Sequence, residues 1–181
     1  VLPGVPLSLS AVPTADRRAL MAARPASPPP AALLAQAMSL ALGEARLAFE
    51  ADEVPVGAAI LGPSGAVLAL AHNEILGQLD PTAHAERLAV TRAARAVGAP
   101  RLPRGSILAS TLEPCAMCAG AMVLARVDWL VFGALDPKTG ACGSLRDVVQ
   151  DQRLNHRCTV LPRIREADCA ELLTRFFRSK R

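Results

Sequence analysis

The sequence predicts an α/β sandwich built on one central sheet. Short apolar runs of strand length alternate with amphipathic segments of helix length along most of the chain. Gly and Pro clusters punctuate the joints between them. An apolar content of 51% over 181 residues gives enough material for one buried core. Only 3% of residues are aromatic and none is Tyr, so that core must be mostly Ala, Leu and Val.

The elements follow in order. Residues 1–30 hold seven of the fifteen prolines and end in Pro28-Pro29-Pro30. Such a tract cannot sustain a helix or a central strand, and it is expected to be a disordered Pro/Ala-rich extension ahead of one folded domain, residues 31–181. Residues 31–50 predict a helix, with Leu34, Met38, Ala41, Ala45 and Phe49 on one face. The apolar runs 54–61 and 66–71, split by Gly62-Pro63-Ser64-Gly65, predict a strand hairpin. Asp80-Pro81-Thr82 reads as a helix start with Pro in the first turn, giving a helix over 83–97 that stops before Gly98-Ala99-Pro100. A strand over 106–110, a helix over 115–124 opened by Pro114, and a buried strand over 127–133 come next. A strand over 159–164, weakened by Pro162, and an amphipathic helix over 166–177 close the chain.

No apolar run is expected to reach the ~20 residues of a membrane span. The five cysteines are odd in number and no secretory signal is visible, so a disulfide scaffold is not expected; the reading is a cytoplasmic protein with reduced thiols. The net charge of +4 hints at a polyanionic partner. From Arg153 onward there are eight bases against three acids, so the basic character belongs to the C-terminal segment. Arg175, Arg178, Lys180 and Arg181 follow the last acid, Glu171. This end could be a solvated helical face, or it could contact a nucleic-acid backbone, with Arg178 as a contact.

Cys115-Ala116-Met117-Cys118 carries the strongest local signal. Two thiols three residues apart at a helix start face one side and can share an ion. A helix N-terminus also favours the thiolate that a metal needs. Alone, the pair reads equally as a metal site, a redox pair or a coincidence. His84-Ala85-Glu86 lies 31 residues before Cys115 and also opens a predicted helix. Two helix starts at one sheet edge would bring His84, Cys115 and Cys118 together. Three protein ligands with a fourth position left for water describe a catalytic zinc, whereas structural zinc sites are closed by four. A carboxylate beside that water serves proton transfer, and Glu86 is placed for it. Singly, His84 reads as a capping histidine and Glu86 as a solvated helix residue; the full set argues against both.

His84-x-Glu86 followed by Pro114-Cys115-x-x-Cys118 resembles the signature of the zinc-dependent nucleobase and nucleoside deaminases. Further runs resemble one branch, the bacterial tRNA-specific adenosine deaminases. These are Val54-Pro55-Val56-Gly57-Ala58, Asp80-Pro81-Thr82-Ala83-His84-Ala85-Glu86, Thr111-Leu112-Glu113-Pro114-Cys115, Lys138-Thr139-Gly140-Ala141 and Phe176-Phe177-Arg178. The resemblance covers about residues 33–179. Leu79 and Pro137 depart from the branch's usual residues, away from the metal signature.

The resemblance implies a cytidine-deaminase-like, three-layer α/β/α sandwich with a five-stranded mixed central sheet, forming a catalytic domain over 31–181. It implies one Zn2+ per subunit on His84, Cys115 and Cys118, with Glu86 as the catalytic proton carrier. The implied reaction is hydrolytic deamination of adenosine to inosine at the wobble position of a tRNA anticodon, in an arginine tRNA, by a zinc-activated water. Asn73 would contact the target nucleoside, Asp136 the nucleotide 5′ of it, Lys138 a phosphate, and Asn155 and His156 the substrate loop. The implied partners are a tRNA anticodon arm and a second copy of the chain, with Met117 and Met122 as candidate interface residues, and neither DNA nor membrane. A free-base deaminase for guanine or cytosine is the nearest alternative. A zinc-stapled RNA-binding module without catalysis is another, and a CxxC thiol oxidoreductase the third.

Overall fold

The computed structural model describes residues 27–181. In chain order these form α1 (Ala31–Glu50), β1 (Gly57–Leu61), β2 (Val67–His72), α2 (Ile75–Gln78), α3 (Ala85–Val97), β3 (Ile107–Leu112), α4 (Ala116–Ala125), β4 (Trp129–Ala134), β5 (Thr159–Leu161) and α5 (Glu166–Ser179). The five strands make one sheet in the order β2-β1-β3-β4-β5. β1 pairs antiparallel with both β2 and β3, while β3, β4 and β5 run parallel. The sheet is therefore mixed, as expected.

Helices cover both faces. On one, Met38, Ala41 and Leu42 of α1 and Cys169 of α5 pack with Ala59, Ile107, Ala109 and Val131. On the other, Leu88 and Ala89 of α3 and Ala119 and Met122 of α4 pack with Ile60, Leu108, Leu130 and Phe132. β1 and β4 are buried along their whole length, which is why they read as continuous apolar runs and not as alternating patterns. At Gly57 the α1 backbone comes so close that an added Cβ would lie 2.1 Å from the Ala41 carbonyl oxygen, so no side chain fits there.

The 1–30 extension falls mostly outside the described residues. Of its end, Pro30 is the N-cap of α1, and its carbonyl accepts from the Leu33 and Leu34 amides. One expectation needs correction. α1 is 20 residues long with a mean hydropathy of 1.2, so by length and composition alone it could cross a membrane. Its buried face of Ala37, Met38, Ala41, Leu42, Ala45 and Ala48 packs on the sheet, the position of a core helix.

Two boundaries shift for local reasons. Asp80-Pro81-Thr82 is not the first turn of α3. The Asp80 carboxylate accepts from the Thr82 amide and hydroxyl at 2.8 and 2.6 Å, closing a side-chain-bonded turn ahead of the helix. β5 ends at Leu161, before Pro162 removes a ladder donor.

Candidate metal and catalytic site

β1 runs antiparallel to both neighbours, so β2 and β3 point the same way and end at the same edge of the sheet. The chain leaves β2 into Asn73 and reaches α3 at His84. It leaves β3 into Pro114 and reaches α4 at Cys115. His84 and Cys115 are both N-cap residues with extended backbone, and Cys118 lies in the first turn of α4. The two helix starts thereby converge. His84 Nδ1 lies 3.7 Å from Cys115 Sγ and 3.7 Å from Cys118 Sγ. All three ligand atoms lie within 4.8 Å of one another. Tetrahedral zinc with Zn–S of about 2.3 Å and Zn–N of about 2.0–2.1 Å requires ligand separations of roughly 3.6–3.8 Å. The donor set and its spacing fit zinc.

The electrostatics suit a cation. The Cys115 thiol is drawn down to about 3, chiefly by the hydrogen bond from the Cys118 thiol and then by His84. The Cys118 thiol is pushed up, because it holds the proton the pair shares and is more deeply buried. A half-buried thiolate beside an imidazole is the environment of a metal ligand. Glu86, in the first turn of α3, is 4% exposed, and burial raises its carboxyl above the ordinary value. A carboxyl whose charged form is penalised in this way is a stronger base than one in water.

Asn73 is buried and ties the two approaches to α3 together. Its Oδ1 accepts from the Ala85 amide at 2.9 Å, fixing the residue between His84 and Glu86. Among the described residues its side-chain NH2 has no hydrogen-bond partner. Asp136 shapes its own turn: its Oδ1 accepts from the Lys138 and Thr139 amides at 2.9 and 3.1 Å, and its other oxygen from the Thr139 hydroxyl. Burial raises this carboxyl, but the hydroxyl and the two amides outweigh it, and the group lies below the usual carboxylate range. Lys138 and Asn155 are exposed, as is Arg178 near the end of α5.

His156, alone among the outer substrate candidates, is buried, and its Nε2–H donates to the Val127 carbonyl at 2.6 Å, so it anchors its loop from inside. Burial holds its pKa below the ordinary histidine value of 6.5, and the Val127 bond opposes this only in part. The unfolded chain then takes up a proton that the folded chain refuses, so this stability is present above about pH 6.5 and is lost as pH falls. The melting temperature should fall between pH 7.5 and 5.5, and fall less in His156→Gln, which keeps a donor but cannot be charged. Equal falls in thermal scans of both proteins would assign the loss to other groups.

Two buried carboxylates were not singled out from sequence. Glu53, 4% exposed, accepts from the Leu76 and Gly77 amides at 2.6 and 2.9 Å and so fixes α2 beside Asn73. Glu113, immediately before Pro114, lies beneath the 136–144 turn. For Glu113 the signal was present, in its place between a strand and the metal motif.

With this geometry in view, residues 32–134 match the zinc-binding region of cytidine and deoxycytidylate deaminases. The chain is 45% identical over 144 residues to the tRNA-specific adenosine deaminase of Bacillus subtilis (strain 168), covering 80% of this chain and 88% of that one. It is 43% identical over 146 residues to the enzyme of the same name from Aquifex aeolicus, covering 80% and 93%. A solved structure of a tRNA:A34 deaminase, of the kind that performs A-to-I editing at the wobble position of transfer RNA, superposes with a TM-score of 0.71 at 43% identity, covering 76% of this chain and 98% of that one.

Proposed function

Because the chain belongs to the cytidine and deoxycytidylate deaminase family, in the branch of the tRNA-specific adenosine deaminases, we propose that it converts adenosine to inosine at the wobble position of a tRNA anticodon. The observation that carries this reading is the convergence of one imidazole and two thiols beside a buried carboxylate. Residues 31–181 form the catalytic domain in this reading, and an arginine tRNA is the substrate, for which the support is the sequence resemblance alone.

His84, Cys115 and Cys118 hold the zinc. When bound, zinc lowers the pKa of a water toward ~7 and so supplies a nucleophile at neutral pH. Glu86 takes a proton from the attacking water and delivers it to the purine ring nitrogen, then takes the remaining proton of the hydroxyl added at C6 and gives it to the amine, which leaves as ammonia as the C6 carbonyl forms. The burial of Glu86 suits it to the first of these steps, because a carboxylate with a raised pKa is a stronger base toward the attacking water. Asn73 offers the target nucleoside an NH2 that has no partner among the described residues, while its carbonyl holds the Ala85 amide between His84 and Glu86. The target base must leave its stack to reach this site, which costs less in an anticodon loop than in a duplex. Asp136, Lys138 and Asn155 flank it as contacts to neighbouring nucleotides.

Two partners complete the reading. In α4, Met117, Ala121 and the 79%-exposed Leu124 make an outward apolar stripe at helical spacing that suits a second copy of the chain. Met122 is fully buried in the core and takes no part. The tRNA backbone suits the end of α5. Glu166 and Asp168 at the other end are paired with Arg163 and Arg165, so the positive excess gathers at Arg175, Arg178 and Arg181. Lys180 is tethered to Asp52. Replacing Arg178 and Arg181 with Gln should weaken tRNA binding and lower the salt slope by about 0.7–0.9 per lost phosphate contact. An unchanged slope in titrations across salt concentrations would make this end a solvated helix face. The cytoplasm is the compartment proposed.

An anticodon stem-loop with adenosine at the wobble position, free guanine and cytidine should be offered side by side while ammonia is followed. Release from the stem-loop alone is expected. Release from guanine alone would favour the free-base alternative, and zinc binding without any release would favour a non-catalytic module.

A further inference from the structure

Glu113 joins β3 to the Pro114-Cys115 entry of α4, yet it is not among the metal ligands and is 2% exposed. Its side chain serves the loop that follows β4. Oε1 accepts from the Cys142 and Ser144 amides at 3.0 and 2.9 Å. Oε2 accepts from the Asp136 amide at 3.1 Å and from the Ser144 hydroxyl. Both ends of the 136–144 turn therefore rest on one carboxylate. The backbones join too: the Glu113 amide donates to the Ala134 carbonyl at 2.8 Å and the Ala141 amide to the Pro114 carbonyl at 2.9 Å. Gly140 leaves the room: a Cβ there would lie 2.5 Å from Glu113 Cδ and 2.5 Å from the Asp136 carbonyl oxygen.

The chemistry requires a carboxylate. Three backbone N–H groups, which can only donate, are aimed at it, one at Oε2 and two at Oε1, so both oxygens must accept. An amide would set its NH2 against at least one of these N–H groups, and an apolar side chain would orphan all three. The turn held in this way carries Asp136 and Lys138, and Asp136 in turn folds the backbone at Lys138 and Thr139 onto itself.

We propose that Glu113 is a positioning residue for the RNA substrate: it clamps the 136–144 turn to the strand that delivers Cys115, and so sets how tightly the nucleotides beside the target are held, without touching substrate or metal. This rests on the tRNA-deaminase reading. A carboxylate that only supported folding would, when replaced, lower zinc content and kcat together and leave KM alone. A positioning carboxylate raises KM while zinc content and kcat per bound zinc persist.

The test uses the full zinc-loaded chain, Glu113→Gln and Ser144→Ala, with an anticodon stem-loop carrying adenosine at the wobble position. KM should rise about tenfold in Glu113→Gln, which sets an NH2 against at least one buried backbone N–H, and about threefold in Ser144→Ala, which removes one hydrogen bond. Zinc should stay at one per chain and kcat per zinc within about twofold of the parent. KM unchanged in the variants, with or without a fall in kcat, overturns the proposal. If Glu113→Gln does not fold, Ser144→Ala decides alone, because three amide donors still hold Glu113 there. A parent chain that leaves the stem-loop unedited defeats the tRNA reading and the proposal with it; an active parent with unmoved KM values in the variants defeats the proposal alone.

Discussion

Glu86→Ala should lower turnover by ~10⁴-fold or more, the upper end of what one acid–base group contributes, because a single carboxyl here serves several proton transfers. The loss should fall on kcat and not on folding. Glu86 is buried at the first turn of α3, and burial penalises its charged form, so truncating it relieves a desolvation cost. Its carboxyl meets the Cys118 thiol and the His84 imidazole, and zinc, when bound, would engage both of those groups in its place. Steady-state rates, zinc content and far-ultraviolet circular dichroism of the purified variant check this together. Activity within tenfold of the parent, with zinc retained, would mean that another group carries the protons.

Cys118→Ala should lose both the metal and the activity. Cys118 is buried, and a tetrahedral site that keeps only His84 and Cys115 has too few protein ligands to hold zinc tightly. Zinc content should drop well below one equivalent, and turnover should fall below detection. Stability should fall as well, because a ligand that binds only the folded state adds RT ln(1 + [L]/Kd), about 4 kcal/mol at a thousandfold excess over Kd. Chelation of the parent should reproduce both effects, and added zinc should reverse them. Cys142→Ser, Cys158→Ser and Cys169→Ser should keep one zinc each, since among the described residues only His84, Cys115 and Cys118 form a metal-sized group. Loss of zinc from Cys158→Ser would show that the wrong thiols had been chosen.

The metal centre was legible because its chemistry is written in local spacing. The His-x-Glu and Cys-x-x-Cys pairs each span less than one helical turn, and each stands at the start of a helix. The sandwich was legible from apolar runs whose lengths separate strands from helices. What escaped depends on partners distant in sequence. His156 sits between two exposed residues in the polar run Asn155-His156-Arg157, and only the Val127 carbonyl explains why it turns inward. α2 is a four-residue helix containing Gly77, too short for a periodic pattern, and it is held by Glu53 across the intervening hairpin. Phe176 and Phe177 looked alike in sequence, but the helical period buries Phe176 against Phe49 and leaves Phe177 exposed.

The most direct test of the account is sequencing of total tRNA after incubation with the zinc-loaded protein, read for inosine as adenosine-to-guanosine changes in the complementary DNA. The account predicts conversion confined to the wobble adenosine of an arginine tRNA, present with the parent chain and absent with Glu86→Ala. Unchanged tRNA in both reactions, from a protein that carries one zinc per chain and is folded, would contradict it.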